Sequence, residues 1–252
     1  MSAATPSPYY EHAGITIYHG DARELVPCLS ADVVISDPPY GDEATHRGHL
    51  STVALKDGDP AGQTLLFDGI SEATCVDLAR LWCEAVPRWV VFTCEWKYLH
   101  ALDAAGLLVR FGVWRKPDGA PQFTGDRPGM GWEAIAICHR RGRKRWNGGG
   151  RYAFYEHPKG RTESGHPTQK PLGLYLDFVG DFSEPGEIVL DPFMGSGTTL
   201  VAAKRLGRRA IGIEQNERYC EIAARRLAQE ALPMGFNERP GQVSLIGAKD
   251  DA

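Results

Sequence analysis

The chain has 252 residues, 42% of them hydrophobic and 24% charged, with a formal net charge of −4. That balance fits one large globular domain, or one domain with an insert, and excludes a fibrous or disordered chain. No apolar run approaches the ~20 residues a bilayer span needs. The mild acidity also argues against a surface that is basic all over. The first eleven residues lack the charged-then-apolar pattern of an export signal, so a cytoplasmic protein is expected, with no membrane partner. Its six cysteines (28, 75, 83, 94, 138 and 220) include no C-x-x-C pair. They read as reduced core thiols, Cys28 included, and no metal site is expected.

From the N-terminus, Ile15–Tyr18 alternates as a short strand ending at Gly20-Asp21, and Ala22–Leu29 follows as a helix with Leu25, Val26 and Leu29 on one face. Val33-Val34-Ile35 reads as a buried strand that runs into Ser36-Asp37-Pro38-Pro39-Tyr40-Gly41. Each proline fixes its own φ and lacks an N–H, and Pro39 pushes Pro38 toward extended backbone. The turn is therefore rigid. A carboxylate and an outward carbonyl could accept both N–H bonds of an exocyclic amine while the aromatic ring stacks on its heterocycle. Taken alone, the same four residues are equally a surface turn.

Residues 41–69 show little periodicity, which fits either a functional loop such as a lid or a plain disordered insert. Ser71 is placed as an N-cap for a helix carrying Leu78, Leu81, Trp82 and Ala85 on one stripe. Trp89–Phe92 reads as a strand, Trp96–Ala105 as a helix closed by Gly106, and Leu107–Trp114 as a further strand. The alternation predicts parallel βαβ units.

That rhythm breaks between Arg115 and Gly165, where only Trp132–Cys138 looks strand-like. Between 139 and 170, nine Lys and Arg face only two acids. Trp146, Tyr152, Phe154 and Tyr155 are interleaved with them. Cations for phosphates and rings for exposed bases make up a nucleic-acid surface, with Arg140, Arg141, Arg143, Lys144, Arg145, Trp146 and Arg151 as the candidate contacts. A solvated face is the plainer alternative.

Order restarts at His166-Pro167-Thr168-Gln169-Lys170-Pro171, where Thr168 is placed as an N-cap for a helix to about Phe182. After a turn at Glu184-Pro185-Gly186, a strand Glu187–Leu190 runs into Asp191-Pro192-Phe193-Met194-Gly195-Ser196-Gly197-Thr198-Thr199 and a helix. Strand, Gly-rich turn and helix in that order make a ligand-binding turn credible. The lysine of a phosphate-cradling loop is absent, and Leu200 stands where a dinucleotide loop needs its third Gly. A nucleoside without phosphates fits better, S-adenosylmethionine above all. The next strand, Ala210–Ile213, ends at Glu214, placed to hold ribose hydroxyls, and Asn216 can cap a helix over 217–229.

Together the two turns resemble the amino-methylating DNA methyltransferases, which act on adenine N6 or cytosine N4. That family pairs an acid-Pro-Pro-aromatic motif with F-x-G-x-G, present here as D-P-P-Y and F-M-G-S-G. The block H-P-T-Q-K-P, D-P-F-M-G-S-G-T-T and I-G-I-E is similar to its cofactor half, and the motif order resembles its β-type arrangement. The resemblance covers residues 14–40 and 88–228.

It implies an α/β, Rossmann-like S-adenosylmethionine-dependent fold, with a mostly parallel, doubly wound sheet. Residues 12–114 would form its catalytic half, 115–165 a small irregular target-recognition insert, 166–232 the cofactor half and 233–252 a tail. Asp37, Pro38, Pro39 and Tyr40 would hold a base flipped out of double-stranded DNA. Asp21, Ala22, Asp37, Thr168, Lys170, Asp191, Pro192, Phe193, Gly195, Ser196, Gly197, Thr198, Thr199 and Glu214 would surround the cofactor. Asp21 would take the adenine amino group, Glu214 the ribose, and Thr168 and Lys170 the methionine end. The implied reaction is a direct displacement with no covalent enzyme intermediate. Asp at the first motif position points to adenine, where cytosine-N4 enzymes often carry Ser. Methylation of RNA adenine or of a protein amide, and a binding module with a vestigial pocket, are the rival readings. A homodimer and a partner restriction nuclease are both compatible with the resemblance.

Overall fold

The computed structural model describes residues 6–39, 41, 69–119, 123, 125, 126, 128–159 and 170–229. Short runs rich in Val, Ile and Leu become strands. Among the described residues the strands are β1 (Tyr10–His12), β2 (Ile15–His19), β3 (Val33–Ser36), β4 (Val90–Cys94), β5 (Leu108–Arg115), β6 (Trp132–Cys138), β7 (Phe154–Glu156), β8 (Ile188–Asp191) and β9 (Arg209–Glu214), of which β1 and β7 hold no Val, Ile or Leu. The helices are α1 (Ala22–Leu25), α2 (Glu72–Ala85), α3 (Leu99–Ala104), α4 (Leu172–Phe182), α5 (Thr198–Arg205) and α6 (Glu217–Gln229).

These strands form one sheet in the order β1-β2-β9-β8-β3-β4-β6-β5-β7. β2, β9, β8, β3 and β4 pair in parallel. The expected strand over Leu107–Trp114 is present as β5, but it does not lie beside β4. β6 occupies that place, paired antiparallel to both. β1 is antiparallel at one margin, and β7, which periodicity did not reveal, runs parallel to β5 at the other. Residues 115–165 thus contribute two strands to the main sheet.

Alternate residues of each buried strand face opposite layers. Ile35 and Val91 pack with Phe178, Leu200 and Ala223 under α4, α5 and α6. Val34 and Phe92 pack with Leu78, Trp82 and Leu102 under α2 and α3. Burying one such side chain contributes roughly 1.5–3 kcal/mol, so the two layers fix the strand register firmly. From β8 the chain passes through α5 to β9 on one side; from β3 it passes through α2 to β4 on the other. The winding reverses between β8 and β3, and the crevice beyond the carboxyl ends at such a reversal is where open α/β sheets bind ligands.

Local signals explain most boundaries. Ser71 Oγ accepts the Thr74 N–H at 3.1 Å, and Asn216 Oδ1 accepts that of Arg218 at 3.0 Å. Gly106 closes α3 with a φ of +69°, a conformation that favours glycine. The helix expected over 22–29 is α only to Leu25 and then tightens to a 3-10 turn over Val26–Cys28. Pro27, without an N–H, cannot continue the α pattern. Cys28 is exposed rather than part of the core. Pro171, not Thr168, occupies the N-cap of α4, with no side-chain cap bond; Thr168 lies outside the described residues. No described helix is long and apolar enough to cross a membrane.

Candidate active site

The parallel strands bring their carboxyl ends to one edge in the order β2, β9, β8, β3, β4. Asp21 therefore follows β2, Glu214 ends β9, the Phe193 turn follows β8 and Asp37 follows β3. The two motifs, with Ser36 and Asp191 separated by 155 positions in the chain, become neighbours because β3 and β8 pair directly, Val34 opposite Leu190.

A buried polar clamp joins them. Ser36 Oγ donates to Asp191 Oδ1 at 2.7 Å, and Thr199 Oγ1 donates to Asp191 Oδ2 at 2.5 Å. The Phe193 N–H donates to Asp191 Oδ1 at 3.1 Å. Burial pushes the Asp191 carboxyl up to about 7, against the pull of these three donors. Asp191 and Thr199 thus shape the turn from inside the protein.

The turn itself needs its glycines for two reasons. Gly195 and Gly197 have φ of +50° and +80°, and a Cβ at Gly197 would lie 2.9 Å from the Ala223 side chain of α6. The close approach at Gly197 is therefore to a helix. Arg226, also on α6, donates to the Ser196 carbonyl at 2.6 Å and reaches Ser196 Oγ at 3.1 Å and Thr198 Oγ1 at 3.4 Å. Ser196, Thr198 and Thr199 thus turn their hydroxyls toward Arg226 and Asp191. Pro192 is buried, and Phe193 is half-buried with its ring edge-on to Trp82 at 6.0 Å.

Glu214 is buried, and burial raises its pKa. Its Oε2 accepts the Gly195 N–H at 3.1 Å and its Oε1 that of Asn216 at 2.8 Å. Asp21 caps α1 and pairs with Arg23 at 2.7 Å; that hydrogen-bonded guanidinium holds its carboxyl below the usual range. Ala22 beside it is core. Two carboxylates flanking a glycine turn without lysine would repel a phosphate and can accept from amine and hydroxyl groups. This donor set fits an uncharged nucleoside.

Asp37 is half-buried, between buried Pro38 and the end of β3. Thr93 Oγ1 donates to its Oδ1, and Lys170 Nζ donates to Oδ1 at 2.7 Å and Oδ2 at 2.6 Å. Lys170, expected near the methionine end, thus sits on the carboxylate of Asp37. Behind it stand Glu133 at 3.6 Å and Lys116, which pairs with Glu133. Tyr175 is buried close by; burial and the charges of Asp37, Asp191 and Glu133 raise its pKa well above the usual value. Tyr40 lies outside the described residues.

Ser36, Thr93, Lys116, Glu133 and Arg226 were not singled out from the sequence. Ser36 and Thr93 carried a readable signal, each a polar residue inside an apolar strand, which implies a partner. So did Glu133, an acid at the start of W-E-A-I-A-I-C.

The basic run lies elsewhere. β6 is antiparallel, so Cys138 ends opposite Val90, the first residue of β4. Residues 139–147 therefore leave the sheet at the edge where the parallel strands begin, about 20 Å from its carboxyl edge by the rise of β6. Arg145 pairs with Glu184 at 3.0 Å and Arg151 with Asp181. Trp146 packs on Phe182, ring centroids 5.0 Å apart. Arg140, Arg141, Arg143 and Lys144 belong to that same edge. A hollow of about 530 Å³ lined by Arg151, Tyr152, Phe154 and His157, among others, lies beside β7 and shares no residue with the Asp37 constellation.

Known proteins agree with this architecture. The sequence pattern of the N6/N4 methyltransferase family, described as DNA methylase, matches residues 95–225, just over half of the chain. The chain is 26% identical over 264 residues to the type II methyltransferase M.HinfI of Haemophilus influenzae, covering 92% of this chain and 71% of that protein. It is 28% identical to M2.LlaDCHI of Lactococcus lactis subsp. cremoris, covering 89% and 93%. The crystal structure of the M1.HpyAVI–SAM complex superposes with a TM-score of 0.61 at 26% identity, covering 84% of this chain and 98% of that one. The cytosine-N4-specific PvuII methyltransferase shares the fold at a TM-score of 0.62 and 17% identity, covering 88% and 96%. The chain belongs to the amino-methylating DNA methyltransferases of the N6/N4 family, whose methyl donor is S-adenosylmethionine.

Proposed function

We propose that the protein methylates adenine N6 at a specific site in double-stranded DNA. The observation that carries this reading is an aspartate at the head of the Pro-Pro-Tyr motif, fixed by Thr93 and Lys170 beside the Phe193 turn. That the curated relatives are type II methyltransferases supports a duplex substrate with a defined recognition sequence.

When bound, S-adenosylmethionine supplies an activated methyl group on its sulfonium. Phe193, Gly195 and Glu214 would hold its nucleoside part, with Asp21 at the adenine end. The chain's own work is alignment. An exocyclic amine is a poor nucleophile because its lone pair is delocalised into the ring. Asp37 and the Pro38 carbonyl accept its two N–H bonds and draw the nitrogen toward tetrahedral geometry. Such alignment can supply on the order of 7–11 kcal/mol of the barrier. The base must leave the duplex to reach Asp37, and stacking on Tyr40 offsets part of that cost. Target reading is assigned to the parts of 115–165 that reach the carboxyl edge, around Lys116, Glu133 and Lys159.

Cytosine N4 presents the same amine chemistry and is the second reading. Mass spectrometry of nucleosides from DNA incubated with the protein and S-adenosylmethionine separates the two. N6-methyladenine is expected, and its formation should be lost in Asp37→Ala while cofactor binding survives. N4-methylcytosine as the product would replace the adenine assignment; an active Asp37→Ala would remove Asp37 from the mechanism.

A further inference from the structure

Four charges of alternating sign cross the carboxyl edge: Asp37 after β3, Lys170 before α4, Glu133 on β6 and Lys116 after β5. Lys170 Nζ is 2.6 Å from Asp37 Oδ2 and 3.6 Å from Glu133 Oε2. Lys116 pairs with Glu133 Oε1 and lies 4.7 Å from the Trp114 ring centroid. The four side chains are only 11–25% exposed. Desolvating charges costs about as much as such pairing returns, so stability alone is a weak reason for the line.

Counting acceptor sites gives a better one. A carboxylate offers about four lone pairs. On Asp37, Thr93 and Lys170 take those of Oδ1, and Lys170 takes one of Oδ2. Among the described residues, no donor takes the second lone pair of Oδ2. It suits a single N–H of the target amine and leaves the second N–H for a carbonyl. Burial opposes the Lys170 ammonium, but Asp37 and Glu133 outweigh it and raise its pKa. Burial lowers that of Lys116, which has Glu133 on one side and the charges of Lys170 and Lys159 on others.

We propose that Glu133 and Lys116 are positioning residues for methyl transfer. They set Lys170 on Asp37 so that one lone pair of Oδ2 is left facing the target amine. The inference rests on the reading of Asp37 as the group that receives this amine.

The test uses the full chain with Glu133→Gln, Lys116→Met, Lys170→Met and the double variant Glu133→Gln/Lys170→Met. Single-turnover transfer of tritiated methyl groups to unmethylated genomic DNA is measured beside cofactor affinity by calorimetry. Glu133→Gln and Lys116→Met should each slow transfer about tenfold or more. Cofactor affinity should stay within about twofold, the mark of a group that acts on the chemical step. The double variant should be no slower than Lys170→Met alone, because Glu133 acts through Lys170. A crystal structure of Glu133→Gln should show Lys170 Nζ withdrawn from at least one Asp37 oxygen. Unchanged rates, multiplying losses, cofactor affinity lost in step with rate, or Lys170 unmoved on Asp37 would each overturn the proposal. If a single variant does not fold, Glu133→Gln/Lys116→Met removes both charges of that pair together and carries the same expectations for rate and geometry. Failure of the unaltered protein to methylate DNA would instead sink the functional reading itself.

Discussion

Replacing Asp191 by Asn swaps one buried oxygen for an amide nitrogen and removes a charge that the interior disfavours. The Asp191 carboxyl has an ordinary value of 3.8 and is pushed up to about 7 by burial. The folded state therefore binds the proton more tightly than the unfolded chain. The contribution of Asp191 to stability is thus greatest below about pH 4, falls as pH rises, and is fully lost above about pH 7. At about 1.4 kcal/mol per pH unit, that increment is on the order of 4 kcal/mol. The asparagine can keep every contact. Its carbonyl takes the place of Oδ1, accepting from Ser36 Oγ and the Phe193 N–H. Its NH₂ takes the place of Oδ2, and the Thr199 hydroxyl rotates to accept rather than donate. Urea denaturation at pH 5, 6, 7 and 8 is the assay. Wild type should lose stability across this range, Asp191→Asn should lose less, and the variant should be the more stable at pH 8. Parallel pH curves, or a variant weaker at pH 8, would show that the three donors outweigh burial and would refute the reasoning.

The other expectations concern binding. Arg226→Ala removes the donor that braces Ser196. A charge-assisted bond of this kind is worth about 1.5–3 kcal/mol, so cofactor affinity by calorimetry should weaken roughly ten- to hundredfold if the turn relies on it. Affinity unchanged would mean that the turn holds its shape through Gly197 and Asp191 alone. Neutralising Arg140, Arg141, Arg143 and Lys144 together should leave the methyl-transfer rate at saturating DNA within about twofold, since exposed charges beyond a Debye length of about 10 Å are screened from the site. A large loss of rate would mean that this opposite edge takes part in catalysis.

Much of this architecture was legible because its signals are local. Val33-Val34-Ile35 and Ile188-Val189-Leu190 are apolar runs ending in an acid and a turn, and each forms a central strand. Ser71 and Asn216 cap the helices that their positions foretold. What the sequence concealed is non-local. β7 is three residues long with only Tyr155 buried, too short to show a period. β6 intrudes between β4 and β5, and nothing within W-E-A-I-A-I-C says which neighbours it takes. That same strand carries the basic run to the far edge, so a composition suited to nucleic acid ended up away from Asp37. The bond from Lys170 to Asp37 spans 133 positions. Both residues belonged to recognisable motifs, but their meeting depends on α4 starting where β3 stops.

The pairing of β3 with β8 also sets a schedule for biosynthesis. Ser36 finds Asp191 only across a separation of 155 positions. At 5–20 residues per second on a ribosome, the earlier strand waits roughly 8–30 s for its partner to emerge. Through that interval one margin of β3 stays open to stray pairing, and chaperone dependence during expression should follow from the permuted order of the two motifs.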